Sequence, residues 1–123
     1  LKMATQRFEA ADDATPAERL RRLVLGRIPT TPEFAIGTSI WLAYEAKSVD
    51  DPVVAELVQQ GHAGGVQEAA ALLDECGVAD APSVALRLMA LAEGLAIQVL
   101  VGGLGSRAAI DLLEDLIAET LPD

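Results

Sequence analysis

Four of the six prolines in this 123-residue chain, Pro16, Pro32, Pro52 and Pro82, each open a long stretch rich in apolar residues. Proline has no backbone N–H and a fixed φ. It breaks a helix interior but is tolerated at the first helical position, where that N–H would have no partner. "TPAE" (Thr15 to Glu18) adds a capping box, with Thr15 as N-cap and Glu18 three residues later. "TPEF" (Thr31 to Phe34) and "DPVV" (Asp51 to Val54) repeat the device, and "APSV" (Ala81 to Val84) repeats the proline without a good cap of its own. "GSRA" (Gly105 to Ala108) offers Ser106 as a further N-cap.

The punctuation predicts helices over about 1–12, 16–28, 32–48, 52–76, 82–102 and 106–121. No segment carries sustained strand alternation. The last has the clearest helical period, with Ala109, Leu112, Leu113, Leu116, Ile117, Thr120 and Leu121 on one side and Asp111, Glu114, Asp115 and Glu119 on the other. Short connections make neighbouring helices fold back on one another. The expectation is one all-α domain of six helices over 1–123, with no linker, repeat or low-complexity tract.

Composition narrows the function. Phe8, Phe34, Trp41 and Tyr44 are the only aromatic residues, and Ala, Leu and Val supply most of the apolar content, which favours helices over a sandwich or barrel. Cys76 stands alone, so no intrachain disulfide forms, and the N-terminus does not resemble a signal peptide. A reducing cytoplasm is the expected location. The run "VALRLMALAEGLAIQVLVGG" (Val84 to Gly103) is long enough to span a membrane but carries Arg87, Glu93 and Gln98. A charge at the bilayer centre costs about 2.5–3.5 kcal/mol on insertion scales, so the run reads as a core helix and no membrane partner is expected.

The net charge of −10 is unevenly spread. Residues 1–28 hold six bases (Lys2, Arg7, Arg19, Arg21, Arg22, Arg27) and four acids (Glu9, Asp12, Asp13, Glu18), a balance of +2, while 29–123 hold three bases and fifteen acids, a balance of −12. Most of this surface repels nucleic acid; only the N-terminal end tolerates phosphate.

The 82–102 helix is apolar nearly all round, yet a chain this small cannot easily surround it. One side is expected in its own core and the other against a second copy. With the final helix it would form half of an intermolecular four-helix bundle, with Leu88, Leu91, Leu95, Val99, Leu113, Leu116 and Ile117 at the seam.

In order, "PAERLRRLVLGRIP", "SIWLAYEAKSVDDPVVAEL", "ALRLMALAEGLAIQVLVGG" and a terminal amphipathic helix resemble the C-terminal domain of TetR-family transcriptional regulators. The likeness is to the branch typed on the choline-responsive repressor BetI. It rests on the "WLAY" run from Trp41 to Tyr44, the acidic-Pro helix start after it, and "AEGLAIQVL" (Ala92 to Leu100). It spans essentially the whole chain and is carried by a pattern of helices more than by invariant chemistry. The resemblance implies a bacterial repressor with an N-terminal helix-turn-helix DNA reader and a helical domain that dimerises and binds a small organic effector. The chain opens on "LKMATQRFEA" rather than on an initiator Met, and the DNA reader would need about fifty residues ahead of Leu1. The expectation is a regulatory domain without that half, with 1–12 a remnant of the interdomain helix and 82–121 the dimerisation helices. DNA would be contacted only through the missing part, and the effector would act through residues 1–28 to change the spacing of two readers.

"QQGHAGGVQEAA" (Gln59 to Ala70) sets three glycines and the only histidine in five consecutive positions. A phosphate loop needs a preceding strand and a following Lys and Ser or Thr, and this stretch has neither. One His and one Cys make no metal site, so no metal or cofactor is expected. Catalysis by His62 needs a nucleophile or an orienting carboxylate, and the sequence alone places none. His62 thus reads first as an exposed or merely satisfied side chain. Gly61, Gly64 and Gly65 share one helix face and together cost roughly 3 kcal/mol in helix propensity. That cost is offset either by close helix–helix approach or by room for a ligand, and the resemblance implies the second, since the family's helix here lines the effector pocket.

Phe34, Gly37, Trp41 and Tyr44 form a stripe for which core packing is the ordinary reading and a pocket wall the alternative. Glu45 at its edge could pair with a cationic effector, and Glu93 and Gln98 need partners within the most apolar helix. The ligand-binding candidates are therefore Phe34, Trp41, Tyr44, Glu45, Gly61, His62, Gly65 and Gln98. An enzyme binding a dianion through Arg19, Arg21, Arg22 and Arg27 is disfavoured, because these do not share one face and no acid–base partner is identifiable. The expected function is a homodimeric effector-sensing domain, not an enzyme; the rival is a stand-alone homodimeric adaptor without ligand.

Overall fold

The computed structural model describes residues 13–122. Five helices and no strand occur among them: α1 (Pro16–Leu25), α2 (Pro32–Lys47), α3 (Pro52–Glu75), α4 (Ala81–Leu100) and α5 (Ser106–Thr120). The sixth expected helix, over 1–12, lies outside the described residues.

The starts follow the proline punctuation. Thr15 Oγ1 accepts from Glu18 N at 3.2 Å and Thr31 Oγ1 from Phe34 N at 3.1 Å. Asp51 Oδ1 accepts from Val53 N and Val54 N at 3.1 and 3.3 Å. Asp80 precedes α4 in a left-handed conformation and makes no cap bond, as expected of the weakest of the four starts. Ser106 is not a cap: the extended Gly105 ends the loop one residue earlier, and Ser106 becomes the first helical residue. Two helices end on a left-handed glycine. Gly77 and Gly102 have φ near +83° and +82°, and Val78 N and Gly103 N reach back to Leu73 O and Gln98 O at 3.0 and 2.9 Å. These are Schellman closures, which glycine permits because it lacks the Cβ that makes positive φ costly.

The core is made by four of the five helices. Leu20 and Val24 of α1, with Ile28 just beyond it, meet Ala69, Leu72 and Leu73 of α3, Ala85, Met89 and Ala92 of α4, and Leu113 and Ile117 of α5. The α3–α4 contact is the most extensive, and its alanines let the two backbones approach. In contrast, α2 packs chiefly on α3 and α4, and not one of its residues is buried. The expectation of a core stripe at Phe34, Trp41 and Tyr44 is therefore corrected: all three are exposed, because α2 lies outside the helix pair instead of within it.

The helix expected to be apolar on two sides is so. Seven residues of α4 are buried, while Leu86, Leu91 and Ile97 remain exposed. It meets the length and hydropathy of a membrane span, but its buried side is the chain's own core. Leu88, Leu95, Leu113 and Ile117, expected at a seam between copies, are instead at most 7% exposed inside one chain. Helical periodicity marks an apolar face without saying which neighbour covers it. Val99 and Leu116 are half-buried and Leu91 is 40% exposed.

Leu73→Ala is expected to lower the unfolding free energy in a urea titration by about 2–5 kcal/mol, since the site is wholly enclosed. Leu57→Ala, on the exposed side of α3, should change it by less than about 0.5 kcal/mol.

Candidate functional site

With nothing buried, α2 is attached through side chains from its neighbours. His62, on α3, is central. Its Nδ1 lies 3.0 Å from Glu93 Oε1 on α4, and its Nε2 lies 3.4 Å from Glu45 Oε1 on α2. The ring nitrogens point in different directions, so one imidazole joins three helices. A neutral ring donates to one carboxylate only; an imidazolium donates to both. All three side chains keep about a third of their surface, so each contact contributes on the order of 1 kcal/mol or less. The sequence placed no carboxylate beside His62; the fold supplies two, from positions seventeen residues before and thirty-one after it.

The glycines explain how the rings fit. Trp41 packs edge-on against His62, with ring centroids 5.9 Å apart and planes at 64°. A Cβ on Gly61 would fall 2.8 Å from Trp41 Cη2, so the missing side chain is the seat of the indole. Gly65 does the same for the connection after α1: a Cβ there would fall 2.6 Å from Arg27 Nη2 and 3.4 Å from Met89 Cε. Gly64 faces open space. The room made by the stripe is taken by side chains from α2 and from the end of α1, not by another helix backbone.

These side chains wall a half-open cavity of about 250 Å³. Phe34, Gly37, Trp41 and Leu42 of α2 form one side and Ala96 and Ile97 of α4 the other. The polar groups in the wall are Arg27, Thr38, Glu45 and Glu93, and Gly26 closes the end beside α1. A mostly apolar hollow with a few charged groups is the usual form of a small-molecule site, here slightly below the usual range of about 300–1,000 Å³.

Of the eight ligand-binding candidates, Phe34, Trp41 and Glu45 line this cavity. Gly61, His62 and Gly65 stand behind its wall as seats and brace, and Tyr44 and Gln98 are exposed and do not line it. Sequence reasoning missed Arg27, Thr38, Leu42, Ala96 and Ile97 as lining residues and noticed Glu93 only as a polar group in need of a partner. The position of Ala96 and Ile97 one turn beyond Glu93 on α4 is a signal that could have found them; Arg27 offered none. The arginine group does not converge. Arg21 Nη2 bonds Glu114 Oε1 at 2.8 Å, tying α1 to α5; Arg19 and Arg22 are exposed; and only Arg27 reaches the cavity. No three His, Cys, Asp or Glu side chains among the described residues are grouped to hold a metal ion.

The chain matches the family model for the C-terminal domain of BetI-type transcriptional repressors over residues 16–122. No curated protein and no solved structure gives a match.

Trp41 is the only tryptophan, so its fluorescence reports its seat. Gly61→Ala is expected to push the indole off His62, shifting emission to the red and raising quenching by acrylamide. Gly64→Ala, facing open space, should leave the emission unchanged and raise stability by up to about 1 kcal/mol through helix propensity.

Proposed function

The chain belongs to the BetI-type repressor C-terminal domains of the TetR-type transcriptional regulators, and on that premise we propose that it is the effector-sensing and dimerising part of a repressor whose DNA contacts are made by a helix-turn-helix domain. The observation that carries the reading is the cavity under α2, where two carboxylates and two aromatic rings, Glu45, Glu93, Phe34 and Trp41, face one small hollow. Carboxylates and ring faces both attract a cation, and the attraction grows as water is excluded. The effector is a small organic molecule with a cationic centre. Because Gly26 and Arg27 form one end of the wall, its binding bears on α1, the helix nearest the N-terminal end of the described chain.

Dimerisation uses the side of α4 that the core leaves outside. Arg87, Leu91, Gly94, Gln98 and Val101 recur at alternating steps of four and three and are exposed, as are Ala108 and Leu112 on α5. Nothing lies within 4 Å of a Cβ placed on Gly94, so a second helix can approach closely there. These residues support the same intermolecular bundle of α4 and α5, turned to a different face from the one first expected.

Thermal unfolding with tetramethylammonium, choline and benzyltrimethylammonium tests the sensor. A ligand present at a hundred times its Kd adds about 2.7 kcal/mol, a rise of several degrees in Tm. Glu45→Gln or Glu93→Gln should weaken the binding cation about tenfold or more. Leu91→Glu combined with Leu112→Glu should give a helical monomer by sedimentation equilibrium where the parent chain is a dimer. A dimer that no organic cation stabilises would favour the adaptor reading.

A further inference from the structure

Resting on the reading of this cavity as the effector site, we propose that the effector also carries an anionic group, held by Arg27, and is therefore an amphoteric molecule of the amino-acid type. Arg27 follows the C-cap of α1, lines the cavity and is half-buried. Its guanidinium lies over the buried Gly65, where the missing side chain leaves room for it: a Cβ there would fall 2.6 Å from Arg27 Nη2, whereas Arg19 and Arg22 are exposed. A glycine inside a helix, under a guanidinium, gives that charge a place in the wall.

The arrangement of opposite charges says what that guanidinium is for. Arg27, Glu45 and Glu93 line the same hollow, yet among the described residues Arg27 forms no ion pair, while His62 engages both glutamates. Opposite charges sharing a small, partly dry cavity pair with each other unless something holds them apart. Here Gly65 seats one charge and His62 braces the others. A molecule with an ammonium and a carboxylate on one carbon satisfies both poles. The planar fork of N–H groups on Arg27 matches the two oxygens of a carboxylate, and Phe34, Trp41 and Ile97 take the apolar side chain that the same carbon carries. A purely cationic effector would leave the Arg27 charge in the wall, repelling it.

The test uses matched trios on the whole chain by isothermal titration calorimetry: phenylalanine, 2-phenylethylamine and 3-phenylpropanoate; leucine, 3-methylbutylamine and 4-methylpentanoate; tryptophan, tryptamine and indole-3-propanoate. At least one amino acid is expected to bind ten times or more tightly than the amine of the same body. Arg27→Met should bring that ratio close to one without weakening the amine. Gly65→Ala, which displaces the guanidinium, should also reduce the ratio while leaving the melting temperature no lower, and it decides the matter if Arg27→Met does not give the parent helical spectrum. The proposal is overturned if no amino acid exceeds its amine, if Arg27→Met weakens both alike, or if Gly65→Ala leaves the ratio unchanged. Amines that bind where amino acids do not would remove the anionic group and leave the cation sensor standing. Failure of every member of every trio would remove both.

Discussion

One imidazole links the outer helix to both of its neighbours. His62 reaches Glu45 on α2 and Glu93 on α4 from its two ring nitrogens, and the Trp41 indole beside it drops into the notch at Gly61. The other helices have apolar anchors: α1 has Leu20 and Val24, and α5 has Leu113 and Ile117. Each such side chain contributes about 1.5–3 kcal/mol on burial. α2 has no fully buried side chain: Leu42 and Trp41 are only partly covered, and its polar contacts are individually worth on the order of 1 kcal/mol or less. An element held this way opens at a free energy well below that of the core. Because α2 forms a whole side of the cavity, the hollow exists in its present form only while that helix is docked.

The same economy of contact explains the two-sided character of α4. Its buried side closes the core against α3, and Glu93, Ala96 and Ile97 look into the cavity. Gly94 and Gln98 lie next to these along the helix but on the outer side, with Leu91 and Val101. Backbone hydrogen bonding makes a helix move as a unit, so a shift that brings Glu93 toward a bound charge also moves Gly94. In the proposed reading the sensor and the seam between copies are neighbouring sides of one rod, and α4 carries the coupling without a longer relay.

How much of this was legible in the sequence divides by the range of the interaction. Helix starts depend on a proline and the cap before it, both local, and they were read to within a residue at Pro16, Pro32 and Pro52 and one residue late at α4. Family membership was legible too, because it lies in the order of such segments. Of the two readings of the α2 aromatic stripe, core packing fails because periodicity reports that a helix has an apolar side, not whether anything covers it; Phe34 and Trp41 line the cavity and Tyr44 does not. Four of the expected seam residues are misplaced for the same reason: Leu88, Leu95, Leu113 and Ile117 lie on apolar sides that their own chain fills, whereas Leu91 stays outside. The His62 contacts and the Arg27 seat depend on residues seventeen to thirty-eight positions apart, with Glu45, Glu93 and Gly65 as the partners, brought together by crossings no local pattern specifies. The glycines gave half the answer: they announced removed volume, and only the fold says that Trp41 and Arg27 fill it.

A weakly held helix over a charged hollow is what a sensor needs energetically. A ligand shifts an equilibrium only by its difference in affinity for the two states. An effector touching Glu45 and Trp41 on α2, Glu93 on α4 and Arg27 after α1 makes its full set of contacts only when α2 is docked. Allosteric coupling is typically about 1–3 kcal/mol, comparable to the sum of the His62 contacts and too small to move a helix anchored by two or three buried leucines. In the proposed reading, the absence of fully buried residues in α2 sets the scale of the switch. On the same reading the signal passes outward through α1, which joins the cavity through Gly26 and Arg27 and packs against α5 through Leu20 and Val24, with the exposed Arg21–Glu114 pair at 2.8 Å beside them. In a dimer built on α4 and α5, that packing would set the position of α1 relative to the partner. A change in the cavity would then read out as a change in the separation of the two α1 helices.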